Sequence, residues 1–493
     1  MADSSELLIR ARDAAKQKRN GLAVMLLRQL AQENPPLGQR WGAAAQLAAS
    51  LQDMWTAAEA QKRMVETGRR DTASRLSLAR FLHESGQFEP ARAEIEALYE
   101  DDPGNVRVVY ASAYINARLQ NDELAIERYR EAALMDPRQS VAWAVMMRMK
   151  KATEGDPDID HMRRAEAQLT EEKAPLRAPV KYGLGYAMEH LGDYDSAFSL
   201  ISEGSHLMHE HHQYNRTRMA SVLQGLKNAC PPEMIANAEG HDTDRPIFVV
   251  GAPRAGTTLV ETILNAHSGV VGGAELPFMT VASYPAQNAA SESPGNTDAA
   301  LKRMLGPDAW KKIGATYATL GAERFGPTGK FVDSTTTTPW QMGFILSAMP
   351  NARIIWMTRN RADALWAIYK VLFAVSQTFS YDFANIQDRL NWIANLRDHF
   401  AEIAPQSQIL RVNYEDLARN PDEWIPKILS HCNLEYEDSV RDFHKSDRIV
   451  STASFAQVRQ PISTKSIGSW RRYEQHLAPI YREVIGPDYE SES

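Results

Sequence analysis

The sequence predicts an α-helical solenoid followed by a three-layer α/β domain built on a short parallel sheet. Three observations lead there. Alanines recur at one fixed interval between Ala11 and Ala125. A continuous apolar run, "PIFVVG" at 246–251, breaks at a turn and passes into an apolar helix pattern. Further runs of strand length follow downstream in "KFVD", "RIIWMT" and "QILRVNYE". At 493 residues the chain exceeds one core, so two or three domains are expected. A formal net charge of −7 lacks the basic footprint of a nucleic-acid binder. Cys230 and Cys432, the two cysteines, stand far apart in no metal-ligand or disulfide-framework spacing. A reducing, cytoplasmic setting is the expectation. The N-terminus carries no apolar leader and no apolar run reaches membrane-spanning length, so neither signal peptide nor membrane span is expected. "HLMHEHH" at 206–212 lies in a polar stretch, and no metal site is assigned to it.

The repeat comes first along the chain. Ala23, Ala57, Ala91 and Ala125 form one evenly spaced set, and Ala11, Ala45, Ala79 and Ala113 precede them by a constant offset. Pro35, Pro103 and Pro137 follow three of the first set by that same offset, with Arg69 at the remaining place. Two short helices per unit, each with a small residue at the crossing and a proline after the second, account for this spacing. The pattern resembles the tetratricopeptide repeat (TPR), whose unit length of about 34 residues it shares. Trp41 sits at the usual aromatic position of such a unit. Repeats are placed at about 4–37, 38–71, 72–105 and 106–139, with a further unit at 178–211 in which Gly185 and Ala197 stand at the same offset. The stretch 140–177 is helical but off register, and "EGDPDID" at 154–160 reads as a loop. Such an array offers a surface for a protein or peptide partner, or else supports the second half. The boundaries expected are 1–211 for the repeats, 212–245 for a helical linker and 246–493 for the α/β domain.

In "FVVGAPRAGTTLVETIL" a buried strand ends on a tight turn and a helix begins, the layout that aims backbone N–H groups at a phosphate. Gly256 permits close approach, Thr257 and Thr258 add hydroxyls, and Arg254 adds a charge. A Walker A loop needs a Lys where Gly256 stands, so an ordinary NTPase is not expected. "PRAGTTL" instead resembles the 5′-phosphosulfate loop of the sulfotransferases, a P-loop-like fold. "NAHSGVVGGAELP", "NARIIWMTRNRADALWAIY", "VNYEDLARNPDEWIPKIL" and "RIVSTASFAQVRQPI" extend the similarity across 246–480. With the repeats, the chain resembles the TPR-containing sulfotransferases, whose catalytic domain is of the tyrosylprotein-sulfotransferase type.

That resemblance implies 3′-phosphoadenosine 5′-phosphosulfate (PAPS) as sulfuryl donor and no metal. Arg254, Gly256, Thr257 and Thr258 would hold the 5′-phosphosulfate, and Arg359 the 3′-phosphate. Ser454 matches a serine that contacts the nucleotide, and Arg459 falls near a basic contact. Glu275 follows Arg254 at the interval that separates the family's base from its arginine, and would take the acceptor's proton. The acceptor is a hydroxyl compound, which the array favours as a peptide or protein; nucleic acid and membrane are not expected partners. Three positions depart from the family pattern: Ala255 replaces a loop serine, Ala367 a serine for the 3′-phosphate, and Ser334 the lysine after Asp333. Lys330, Arg361 or Lys370 are the candidates to replace that lysine. The alternative reading is a catalytically degenerate nucleotide-binding or interaction protein. The segment 284–300, "YPAQNAASESPGNTDAA", reads as a loop. His267, Tyr414 and Glu415 read as structural.

Overall fold

The computed structural model describes residues 4–68, 70–293, 295–373, 375–405, 407–445 and 460–489. Its first part is a succession of helix pairs: α1 (Ser4–Lys16) with α2 (Asn20–Glu33), α3 (Trp41–Ser50) with α4 (Met54–Glu66), α5 (Thr72–Glu84) with α6 (Phe88–Asp101), and α7 (Val106–Arg118) with α8 (Asp122–Met135). The second helices of the four pairs begin at Asn20, Met54, Phe88 and Asp122, so they keep the step of the alanines. All eight periodic alanines are 0% exposed, because a methyl group is what fits where the helices cross. Two of the helix starts are capped by side chains: Asp71 accepts from the Ser74 N–H at 2.8 Å on α5 and Asn105 from the Arg107 N–H at 3.1 Å on α7.

The array continues through α9 (Val141–Met149), α10 (Pro157–Gln168), α11 (Ala174–Leu191) and α12 (Tyr194–His211). The loop expected at 154–160 is shorter than that. Asp156 caps α10 by accepting from the Asp158 N–H at 3.0 Å, and Pro157 opens the helix, where its missing N–H is no loss. In the α11–α12 pair, a Cβ built on Gly185 would lie 2.7 Å from Ile201 Cγ1 and 3.3 Å from the Ala197 carbonyl oxygen. The small residues noted in the sequence thus set the closest approach of these two helices. α13 (Arg216–Ala229) and α14 (Pro232–Ala236) then lead into the second part and pack on its helices Phe383–Ile403 and Thr338–Ala348.

Five parallel strands follow: β1 (Pro246–Gly251), β2 (Val270–Gly272), β3 (Lys330–Asp333), β4 (Arg353–Thr358) and β5 (Ile409–Asn413), in the order β2-β3-β1-β4-β5. β1 is central and buried along its whole length, as its uninterrupted apolar sequence requires. Its alternate residues face two cores. Phe248 and Val250 join Ile354 and Trp356 on one face; Ile247 and Val249 join Ile355 and Met357 on the other, under helices on each side. The chain leaves β1 toward β2 and β3 on one side and crosses to β4 and β5 on the other. The switch point of the sheet therefore lies between β1 and β4. β5 stops at Asn413, short of the "YE" of the expected strand, because Tyr414–Arg419 is helical and capped by Asn413, which accepts from the Asp416 N–H.

The 284–300 segment is not a loop. It forms the helix Tyr284–Glu292 and the start of the helix Thr297–Leu305. Pro285 sits in the first turn, and Tyr284, Ala286 and Ala289 are buried. The Tyr284 hydroxyl donates to the Leu51 carbonyl of the array at 2.9 Å, so the tertiary contact overrides a turn-like composition. The two halves share their cores. One runs from Leu27 and Trp41 to Phe248 and Trp356, another from Trp143 and Tyr182 to Trp366 and Tyr481.

Candidate functional site

α15 (Thr257–Asn265) starts directly after the turn that closes β1. Two residues carry the turn in left-handed conformation, Arg254 at φ +67° and Gly256 at φ +96°. At Gly256 a side chain is also excluded by space, since a Cβ would lie 2.7 Å from Tyr414 Cδ2. The result is a helix N-terminus, with Thr257 and Thr258 at its start, at the carboxyl edge of the sheet beside the switch point.

Arg359, the residue after β4, comes to the same place. Its guanidinium donates to the Arg254 carbonyl at 2.9 Å and to the Ser466 carbonyl at 3.0 Å, and it lies 4.8 Å from the centre of the Tyr414 ring. The Tyr414 and Ser466 hydroxyls are 2.5 Å apart. Asp363, on the helix that follows β4, accepts from the Gly468 N–H at 2.7 Å and ties down the segment that carries Ser466. Arg359 Nε is buried with no partner among the described residues. Tyr414, at the start of the helix after β5, thus packs against both the turn and Arg359. Glu415 is an anchor as expected, accepting from the Asn360 N–H at 3.0 Å, and His267 Nε2 bonds to the Glu435 carbonyl at 3.0 Å.

The Arg254 side chain lines a cavity of about 920 Å³ between the helical array and the second half. Burial, then the charges of Arg148 and Arg359, push its guanidinium down to about 9, which leaves it charged at neutral pH. A left-handed turn, a helix start and the contact of the Arg359 guanidinium with the Arg254 carbonyl thus come together at the carboxyl edge of the sheet.

Glu275 stands just beyond β2, two strands from this turn, exposed in part with protein packed around the rest. The loop carrying it is pinned on both sides. The Ala274 N–H donates to Glu261 Oε1 at 2.7 Å, the Ala274 carbonyl accepts from the Ser334 N–H at 2.9 Å, and the Leu276 N–H donates to Thr335 Oγ1 at 2.7 Å. Ser334 Oγ donates to Glu261 Oε2 at 2.6 Å, while Asp333 accepts from the Thr335 and Tyr317 hydroxyls at 2.5 and 2.8 Å. Burial pushes Glu261 up to about 7, with Asp333 and Glu275 adding to the rise against its two hydrogen bonds. Asp333 is likewise raised by burial, to about 6. Glu275 is raised by the protein packed around it and by Asp333, against the opposing charge of Arg118.

The replacements considered for the lysine separate clearly. Lys330 is at the wrong end of β3, donating to Asp244 Oδ2 at 2.9 Å at the amino edge of the sheet. Lys370 lines the same cavity as Arg254 and is held by Glu189 at 2.8 Å. Arg361 begins the helix Arg361–Tyr369, and Ala367 is buried within it. Ser454 and Arg459 lie outside the described residues. Sequence reading missed Arg118 and Arg148, which the array contributes to the cavity wall. It also missed Arg324, whose lowered pKa, caused by burial, is opposed by Asp333 and Glu261. A cation at the end of an array helix carries no local mark of the sheet it will face.

Residues 246–438 match the model of the sulfotransferase family. An uncharacterised protein of Aquifex aeolicus is 30% identical over 392 residues, 77% of this chain; the chain spans 50% of that protein's length. The protein-tyrosine sulfotransferase of Drosophila melanogaster is 21% identical over 234 residues, covering 45% of this chain and 46% of that protein. Among solved structures, the sulfotransferase domain of the Synechococcus olefin synthase matches 47% of this chain and 89% of its own, at 16% identity and a TM-score of 0.35. Over residues 246–438 the chain is thus similar to the sulfotransferase family.

Proposed function

We propose that the chain moves a sulfuryl group from PAPS to a hydroxyl acceptor. The single observation that carries this is the meeting of Arg359 with the Arg254 turn at 2.9 Å, across 105 positions of sequence and at the switch point of the sheet. Bound there, PAPS would supply an activated sulfuryl group on a phosphate leaving group. The amides of 256–258 and Arg254 would hold the 5′-phosphosulfate, and Arg359, with its uncommitted Nε, the 3′-phosphate. Glu275 would accept the hydroxyl proton as the acceptor oxygen attacks; its raised pKa suits a base that must also release that proton. Lys370 would add positive charge in place of the lysine absent at 334. The segment 1–211 would consist of TPR units that shape the acceptor side, in keeping with the constant step of its paired helices.

The degenerate reading draws on one observation. Ser334, at the lysine position, commits its hydroxyl to Glu261 inside the protein. Calorimetry with 3′,5′-ADP and radiolabelled sulfate transfer to a panel of hydroxyl acceptors distinguish the two. The proposal expects nucleotide binding, its loss in Arg359→Ala, and transfer to some acceptor. Unchanged affinity in Arg359→Ala would refute the assignment of that arginine, and binding with no transfer across the panel would favour the degenerate reading.

A further inference from the structure

Three tyrosines of the array, Tyr110, Tyr114 and Tyr129, line the cavity between the two halves. Tyr129 is 2% exposed, and its ring meets that of Tyr110 edge-on at 5.6 Å. A buried tyrosine hydroxyl ordinarily finds a partner within the protein. The array follows that rule elsewhere. The Tyr182 hydroxyl bonds to Ser205 Oγ at 2.7 Å, and the Tyr186 hydroxyl, in the lining of this same cavity, donates to the Lys370 carbonyl at 2.9 Å. Among the described residues, the hydroxyls of Tyr110, Tyr114 and Tyr129 have no such bond. Burial, then Tyr110, hold the Tyr129 hydroxyl well above the usual phenol range against the opposing charge of Arg118, so it keeps a proton to donate. The lining also suits a flat apolar body: Met147 and Met149 contribute to it from the array and Phe373 from the second half. Lys370 and Glu189, in the same lining, are paired with each other at 2.8 Å. The volume, about 920 Å³, is of the size that encloses a small organic ligand.

We infer that this cavity is a binding site for an aromatic small molecule that carries a hydrogen-bond-accepting oxygen, such as a carbonyl. The aromatic body lies among the tyrosine rings, the methionines and Phe373, and the oxygen accepts from the unpartnered hydroxyls, that of Tyr129 foremost. A donor already held in a packed wall loses little further freedom when the ligand arrives. Glu275 does not line this cavity, so the ligand is not assigned as the hydroxyl compound whose proton that residue would take. The assignment depends on neither nucleotide binding nor transfer activity. Both halves of the molecule supply the lining, so the site is incomplete without either.

The test is a fluorescence titration of the full chain with two uncharged probes. One is 6-propionyl-2-dimethylaminonaphthalene, which carries a carbonyl and whose emission moves to the blue on leaving water; the other is N-phenyl-1-naphthylamine, which has no oxygen. The ketone should bind saturably at one site with blue-shifted emission. Tyr129→Phe, which removes the hydroxyl and keeps the ring, should weaken the ketone about fivefold and leave the amine unchanged. If that variant melts at a lower temperature than the wild type, Tyr114→Phe and Tyr110→Phe supply the same reading. Val141→Trp puts bulk into the cavity from a position that is 38% exposed, and should weaken both probes at least about tenfold. Absence of saturable ketone binding, or binding untouched by Val141→Trp, would overturn the site. An unchanged ketone affinity in all three tyrosine variants would give those hydroxyls to water and overturn the accepting oxygen. Displacement of the ketone by 3′,5′-ADP would make the cavity part of a nucleotide pocket and overturn the assignment to a separate ligand.

Discussion

Glu261 shows what a single side chain does here. It lies on the first helix after the phosphate turn, is buried, and uses both oxygens to hold Ala274 and Ser334, so it fixes the loop that presents Glu275. Burial raises its pKa from 4.5 to about 7. A carboxyl with a higher pKa in the fold than in the unfolded chain keeps its proton in the fold through the interval between. Its contribution is full below about 4.5 and is lost as the pH rises to about 7. Asp333 acts in the same sense between 3.8 and about 6, and the neighbouring carboxyls titrate together. Urea denaturation between pH 4.5 and 7.5 should show wild-type stability falling, and Glu261→Gln should flatten the fall; an equal slope in both would contradict this account. The turn at Arg254 and Gly256, the helix start at Thr257 and the position of Arg359 after a strand were legible in the sequence because each is marked by a local pattern of apolar run, glycine and polar residues. The nearness of Arg118 and Arg148 to the Arg254 cavity, and of Tyr414 to Arg359, was not, since it arises only when distant segments are packed together.

At the scale of elements, periodicity was readable where geometry repeats. The eight alanines mark the helix crossings, and the constant step of the helices follows from them. Gly185 plays the same part between α11 and α12, where an added Cβ would stand 2.7 Å from Ile201 Cγ1. Gly185→Val should cost about 1–3 kcal/mol by overpacking, read as a lowered melting temperature; a neutral result would mean the two helices separate freely. β2 escaped notice because so short a strand carries little pattern. The helices at 284–305 escaped because serine, asparagine and glycine suggest a turn, whereas burial of Tyr284 and two alanines against the array decides their structure.

Over the whole molecule, the sequence divides more sharply than the packing does. Apolar cores run through both halves, and polar ties reinforce them. The Tyr186 hydroxyl donates to the Lys370 carbonyl at 2.9 Å, and Arg28 meets Glu323 at 2.9 Å. Cutting at residue 245 would expose the array-facing sides of those cores. Calorimetric unfolding of the full chain should therefore give one cooperative transition, and the segment 246–493 alone should fail to fold; two independent transitions would contradict the shared core. The same packing sets the Arg254 side chain in the wall of the cavity between the two halves, while its carbonyl meets Arg359. The most direct test of the central claim is a crystal structure of the full chain with 3′,5′-ADP. The account predicts the 5′-phosphate on the amides of 256–258 beside Arg254, and the 3′-phosphate on Arg359. A nucleotide bound elsewhere, with Arg359 still held by the Arg254 and Ser466 carbonyls, would contradict it.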